Sequence, residues 1–82
     1  MPYIAKNRRF DLIEGNQLPD TAGELNYVLT KACLDYLASR QESYQVYNDI
    51  LGALEGCKQE LYRRQVSGYE DKKILENGDV YK

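Results

Sequence analysis

Apolar residues recur at intervals of three and four through two stretches in the middle of the chain, and this spacing predicts two helices. An α-helix turns about 100° per residue, so residues spaced in this way fall on one face. The first stretch follows Thr21-x-x-Glu24, a capping box whose side chains satisfy backbone N–H groups at a helix start. It predicts a helix over about residues 21–40. Its main apolar stripe comprises Leu25, Val28, Leu29, Ala32, Cys33 and Tyr36.

The second stretch predicts a helix over about residues 44–66. Ser43 is the expected N-cap, because a serine oxygen can accept the first free N–H groups of a helix. Ser67-Gly68 is expected to end this helix, since glycine is the usual residue just past a helix end. The short connection at 41–43 favours an antiparallel helical hairpin. The stripe expected to form the core comprises Tyr47, Ile50, Leu51, Leu54, Cys57 and Leu61.

Shorter helical segments are expected at both ends of the chain. Arg8–Glu14 can form a helix with Gly15 as its C-cap, and Tyr69–Glu76 can form another that Asn77-Gly78 terminates. At Asn77-Gly78, a β-hairpin turn is the alternative to a helix end. We therefore expect one small all-α domain over residues 1–82. It would consist of the hairpin and its flanking segments, assembling as a helical bundle.

The first predicted helix is apolar on two sides, which favours a shared interface. An 82-residue chain has few helices with which to cover both faces of one helix, so a homo-oligomer, and a homodimer above all, is expected. The alternative is that an unidentified protein partner covers the second apolar face of this helix. The side chains that project away from the main stripe are Tyr27, Leu34, Leu37 and Ala38.

Gly52-x-x-x-Gly56 lies inside the second predicted helix, opposite its apolar stripe. Each interior glycine costs about 1 kcal/mol relative to alanine. Two explanations stay open. The glycines are tolerated exposed residues, or another backbone approaches them closely, from the amino-terminal segment, the carboxy-terminal tail or a second subunit. The second explanation adds Gly52 and Gly56 to the candidate interface.

The charge and cysteine content disfavour several classes of function. A net charge of −2 disfavours nucleic-acid binding, which normally shows a basic excess on one face. The chain has no His, and Cys33 and Cys57 lack the close spacing of a zinc site, so no metal or cofactor is expected. Both cysteines fall on apolar positions and are expected to be buried free thiols. Without a signal peptide or an apolar run of about 18 residues, no membrane association and a cytoplasmic location are expected.

An enzymatic function is not favoured by the residues present. No His is available to activate a Ser or Cys nucleophile, and no phosphate-binding glycine loop has the required spacing. Carboxylates on helices could still hold Mg²⁺. All-α nucleotide pyrophosphohydrolases use an E-x-x-E pair followed by E-x-x-D, and neither spacing occurs in the two main helices. Such an enzyme remains an alternative. The carboxylates available are Glu24, Asp49, Glu55, Glu60, Glu70 and Asp71.

The segment after the second stripe concentrates arginines, carboxylates and tyrosines around Gly68 and Gly78. Guanidinium groups pair with anions and stack on flat rings, so a small-ligand site for a nucleotide or another anion is a second alternative function. The same segment could instead be a tail packed on the domain. The candidate ligand-binding residues are Arg63, Arg64, Tyr69, Glu70, Asp71 and Lys73.

Several ordered motifs resemble a family of small bacterial and phage proteins of unknown function. These motifs are the opening Met1-Pro2-Tyr3-Ile4, then 23–27 (GELNY), 48–55 (NDILGALE), 62–64 (YRR), 69–73 (YEDKK) and 77–81 (NGDVY). The resemblance implies a compact helical cytoplasmic protein and brings no catalytic residues with it. Together with the two-sided helix, it leads us to expect a non-enzymatic helical interaction module that self-associates.

Overall fold

The computed structural model describes residues 4–81, and its regular structure there is entirely helical. The opening Met1-Pro2-Tyr3 motif lies outside the described residues. The predicted all-α class is confirmed, whereas the antiparallel packing of the hairpin and the bundle remain predictions. The chain divides into two compact units, residues 1–46 and 47–82, and each is described by itself. The elements are α1 (Lys6–Ile13), α2 (Ala22–Ala38), α3 (Tyr44–Leu61), a π-helical turn (Tyr62–Val66) and α4 (Ser67–Asn77).

In the first unit, α1 begins and ends slightly earlier than predicted, and Gly15 is not its left-handed cap. Asn16 has the positive φ, at 50°, and asparagine tolerates this region better than most residues. The Gln17 N–H donates to the carbonyl oxygen of Asp11 at 3.0 Å, which closes the turn. A Cβ at Gly15 would lie 2.7 Å from the same oxygen. Glycine is therefore required at this position for close backbone approach rather than for its φ angle.

The start of α2 confirms Thr21 as its N-cap. The Thr21 hydroxyl accepts the Glu24 N–H at 3.1 Å. The reciprocal half of the capping box is displaced by one residue, because the Glu24 carboxylate accepts the N–H of Asp20 at 2.9 Å. The helix spans Ala22–Ala38, so the predicted range of 21–40 was two residues too long at its end.

The apolar core of the first unit is small. Among the described residues, the buried apolar side chains are Leu12 on α1 and Val46. Helix α1 packs against α2, yet no residue of α2 is fully buried. Leu25 and Leu29, which belong to the predicted main apolar stripe of this helix, are 49% and 44% exposed. The main stripe of α2 is thus only partly covered within this unit.

Helix α3 begins as predicted, and Ser43 caps it by accepting the Val46 N–H at 3.3 Å. The predicted stop at Ser67-Gly68 is wrong. Ser67 has helical angles of −59° and −42°, and the backbone continues without a break into α4. Glycine inside a helix costs only about 1 kcal/mol relative to alanine, so a Ser-Gly pair alone does not oblige a helix to end.

The predicted stop at Asn77-Gly78 is confirmed. Gly78 has a φ of 85°, and its N–H donates to the carbonyl oxygen of Ile74 at 2.8 Å. This is the glycine that the helix end requires, because the left-handed region is costly for residues with a Cβ. The predicted separate segment 69–76 is therefore the last part of one helical run that begins at Tyr44.

The second unit buries none of its described residues, 47–81. The stripe of α3 that was expected to form a core is open, with Leu54 40% and Leu61 58% exposed. Both cysteines are free thiols, but the predicted burial of Cys57 is wrong, since it is exposed, while Cys33 is half-buried. No helix among the described residues combines the length and apolarity needed to cross a membrane.

Candidate functional site

A π-helical turn lies at the start of the motif-rich segment. The Ser67 N–H donates to the carbonyl oxygen of Tyr62, five residues earlier, instead of the four that an α-helix uses. Single π turns within α-helices occur frequently at functional sites. The turn coincides with the segment in which the sequence concentrates arginines and tyrosines. Residues 62–81 are therefore the candidate site.

A hydrogen bond between Tyr62 and Glu70 spans the π turn. The Tyr62 phenol donates to the Glu70 carboxylate at 2.6 Å. This bond and the negative charge of Glu70 raise the pKa of Tyr62 above its ordinary value, because both favour the protonated phenol. Glu70, a predicted ligand-binding residue, thus already serves as an acceptor that ties the π turn to α4.

The arginine pair shares a single carboxylate. Arg63 donates to Glu60 at 3.2 Å and Arg64 donates to the same side chain at 2.8 Å. Both arginine side chains are about 70% exposed. Two cations on one carboxylate leave a local positive excess at the end of α3. This excess can attract an anionic or aromatic group, but exposed ion pairs of this kind contribute little to stability.

A groove of about 300 Å³ lies beside α4, where the chain turns after Gly78. The Lys73 ammonium lies 5.5 Å from the centre of the Tyr69 ring and pairs with Glu76 at 3.1 Å. The groove is open, since Val80 and Tyr81 on its far wall are 93% and 94% exposed. The residues that line it are Tyr69, Glu70, Lys73, Ile74, Asn77, Gly78, Asp79, Val80 and Tyr81.

The groove brings together only part of the predicted ligand-binding set. Tyr69, Glu70 and Lys73 line it, whereas Arg63, Arg64 and Asp71 do not. The groove therefore offers one ammonium, two tyrosine rings and the carboxylates of Glu70 and Asp79, without the guanidinium pair that the sequence suggested for an anion. Across residues 4–81, no three Asp, Glu or Cys side chains come close enough together to hold a metal ion.

The residues predicted to form an interface on α2 differ in exposure. Tyr27 and Leu37 are half-buried, while Ala38 is exposed and Leu34 is 52% exposed. They remain a candidate surface of the first unit.

The two glycines of α3 lie on an open helix face. A Cβ added at Gly52 or Gly56 would meet no atom within 4 Å among the described residues. No described part of the chain therefore accounts for the glycines by close approach.

The Arg8–Glu24 cluster was missed by the sequence analysis, which named Arg8 only as the start of a short helical segment. The Arg8 guanidinium donates to Gln17 at 2.6 Å, to the Leu18 carbonyl at 3.1 Å and to Glu24 at 2.8 Å, and also lies 3.3 Å from Asp20. The Arg8 and Glu24 side chains are 21% and 15% exposed. The cluster fixes α1 and the following loop to the start of α2. Sequence spacing does not show which residues of different helices and loops contact each other. Of this cluster, only Glu24 was singled out from the sequence for its position at the start of α2, as part of the capping box.

A family model matches residues 1–80 of the chain, and its description is Domain of unknown function (DUF6899). The chain belongs to the DUF6899 family. The predicted membership of a family of unknown function is confirmed. No curated protein and no solved structure matches this DUF6899 chain.

The Arg8–Glu24 pair makes the stability of this DUF6899 protein vary with pH in the acidic range. The hydrogen bond from Arg8 lowers the pKa of Glu24 below its ordinary value of 4.5, and the hydrogen bond from the Asp20 N–H lowers it further. A lowered pKa contributes stability that is present above 4.5 and is lost as pH falls through the folded-state value. We expect E24Q to lower the unfolding midpoint in urea at pH 7, with a smaller difference from wild type below pH 4.5. An equal difference at both pH values would contradict the assignment.

Proposed function

We propose that this DUF6899 protein is a non-enzymatic helical interaction module of bacterial or phage origin that self-associates as a homodimer in the cytoplasm. The observation that carries the proposal is the exposed apolar surface on α2 and α3. Helices of stable proteins normally cover such faces, and larger apolar patches on a monomer usually mark an interaction site. The exposed side chains on these two helices include Leu25, Leu29, Leu34, Tyr44, Tyr47, Leu51, Leu54 and Leu61.

Further features support the origin and location in this proposal. The ordered motifs resemble a family of bacterial and phage proteins, and Cys33 and Cys57 are both free thiols, which fits a reducing compartment. Tyrosine is abundant, with 8 residues in 82, and its amphipathic ring suits interfaces that are partly hydrated. The resemblance supports the bacterial or phage origin, and the exposed helix faces support the self-association.

Size-exclusion chromatography with light scattering over a concentration series tests the self-association. We expect a mass near twice the 9.5 kDa of the chain at high concentration, and a fall towards the single-chain mass on dilution, because association depends on protomer concentration. The expected dimer should also resist unfolding better at higher concentration.

A mass of 9.5 kDa at every concentration would contradict the homodimer. The exposed helix faces would then have to be covered by a different protein or by another part of the same chain. The groove beside α4 would become the leading candidate for a small-ligand site, and thermal unfolding with a panel of nucleotides would test it.

A further inference from the structure

Asn77 and Gly78, at the end of α4, place a side-chain amide beside an unhindered backbone nitrogen. Asn77 is the last residue of the helix and is exposed. The nitrogen of the following residue can reach its amide carbon by closing a five-membered ring. That residue is Gly78, which has no side chain to obstruct ring closure and has the widest backbone freedom of any residue. The pair is therefore suited to loss of the Asn77 amide nitrogen, the reaction called deamidation.

A hydrogen bond restrains the Gly78 nitrogen. Its N–H donates to the carbonyl oxygen of Ile74 at 2.8 Å, and the nitrogen cannot attack while this bond holds. The bond belongs to the last turn of α4, where burial is slight, since Leu75 is 87% and Val80 93% exposed. Helix ends with few buried contacts open with free energies near zero. The bond therefore slows the reaction without preventing it.

Asn16 provides a comparison within the same chain. It is exposed, and the N–H of its successor, Gln17, donates to the carbonyl oxygen of Asp11 at 3.0 Å near the end of α1. Asn16 and Asn77 thus share exposure and a hydrogen-bonded successor, and they differ in the side chain of that successor. Asn77 is the one asparagine of the chain that precedes a glycine. The remaining asparagines, which also precede residues with side chains, are Asn7, Asn26 and Asn48.

We infer that Asn77-Gly78 is a site of spontaneous deamidation, in which the Gly78 nitrogen displaces ammonia from the Asn77 side chain. Hydroxide removes the Gly78 N–H proton, and the nitrogen then forms a bond to Cγ of Asn77. The bond between Cγ and Nδ2 breaks, and Nδ2 leaves as ammonia with a proton taken from water, which regenerates the hydroxide. Water then opens the succinimide ring, giving aspartate by addition at Cγ and isoaspartate by addition at the main-chain carbonyl carbon. Water is consumed, ammonia is released, and no group is oxidised or reduced.

The reaction loosens the end of α4 in either product. Aspartate adds a negative charge beside Glu76 at the carboxyl end of the helix, where the helix dipole disfavours anions. Isoaspartate adds a methylene to the main chain, which shifts Gly78 out of register with the Ile74 carbonyl. Val80 and Tyr81, on the far wall of the groove, follow this turn. Deamidation therefore opens the groove beside α4, and loss of ammonia makes the change one-way.

Incubation of the 82-residue chain at mildly alkaline pH and physiological temperature tests the site. Peptide mapping by mass spectrometry measures conversion at each asparagine, and ion-exchange chromatography separates the product by its additional negative charge. We expect conversion at Asn77 to be about tenfold or more faster than at Asn16, because a side chain on the attacking residue hinders close approach. The same chain in urea gives the rate without the Gly78–Ile74 bond, and this rate should be faster than that of the folded protein.

N77Q is the matched control. Glutamine keeps the amide but would have to close a six-membered ring, which forms far more slowly, so N77Q should give no deamidated product at this position. Conversion of Asn77 in urea with none in the folded chain would overturn the inference, because the end of α4 would then protect the amide completely. Equal conversion at Asn16 and Asn77 would show that the glycine does not direct the reaction.

The N77D variant tests the effect on the helix end. We expect the Gly78 amide to exchange with water several-fold faster in N77D and in the purified deamidated chain than in the wild type. Magnetisation transfer from water in NMR spectra measures this exchange, and N77Q serves as the uncharged control. Exchange at the wild-type rate in both would overturn the proposed loosening of α4.

Discussion

Truncation of Leu12 to alanine is expected to destabilise the first unit strongly. Leu12 is 4% exposed and is, with Val46, one of two buried apolar side chains among the described residues. Removing a buried leucine side chain costs the lost burial and leaves a cavity, about 2–5 kcal/mol in total. A chain of this size has a total stability of only about 4–12 kcal/mol, so this loss is a large fraction of it. Urea unfolding followed by circular dichroism measures it.

The control for this substitution is L18A. Leu18 is 83% exposed, so its truncation removes little burial and should change the unfolding free energy by about 0.5 kcal/mol or less. Both variants remove the same atoms from leucines of the same unit, but Leu12 is buried on α1 and Leu18 is exposed in the segment that follows it. Equal destabilisation by L12A and L18A would show that Leu12 does not form the core of the α1–α2 packing.

Local chemistry explains which parts of the fold the sequence predicted well. The starts of α2 and α3 were predicted because Thr21 and Ser43 act on backbone groups only three residues away. The end of α4 was predicted because Gly78 adopts a backbone conformation that side chains disfavour. These signals are short-range, so one sequence contains all the information they need.

Features that depend on distant residues were not predicted. Arg8 contacts residues from Gln17 to Glu24, which no periodicity connects to α1. The stripe of α3 was assigned to a core on its pattern alone, although a pattern shows that a face is apolar without showing what covers it. In the candidate site, the sequence grouped residues by proximity along the chain. The structure instead places Glu70 among the groove residues and bonds it to Tyr62, whereas both arginines pair with Glu60 and do not line the groove.

Substitution of alanine at Gly68 and at Gly78 is expected to change stability in opposite directions. Gly68 has helical surroundings, and an added Cβ would meet no described atom within 4 Å. Replacing a glycine inside a helix by alanine should therefore increase the unfolding free energy by about 1 kcal/mol. Gly78 has a φ of 85°, where an L-residue is strained, so G78A should decrease it by about 1 kcal/mol.

This pair decides whether the helix really passes through the Ser-Gly sequence. If Gly68 were a left-handed helix end, as its sequence context suggested, G68A would destabilise the protein as G78A does. If the helix continues through the π turn into α4, G68A should raise both the helicity and the urea midpoint. Because each substitution adds only a methyl group, the sign of the change reports the backbone conformation at that position. A continuous helix would in turn hold Tyr62, Glu70 and the groove residues up to Asn77 on one helical run.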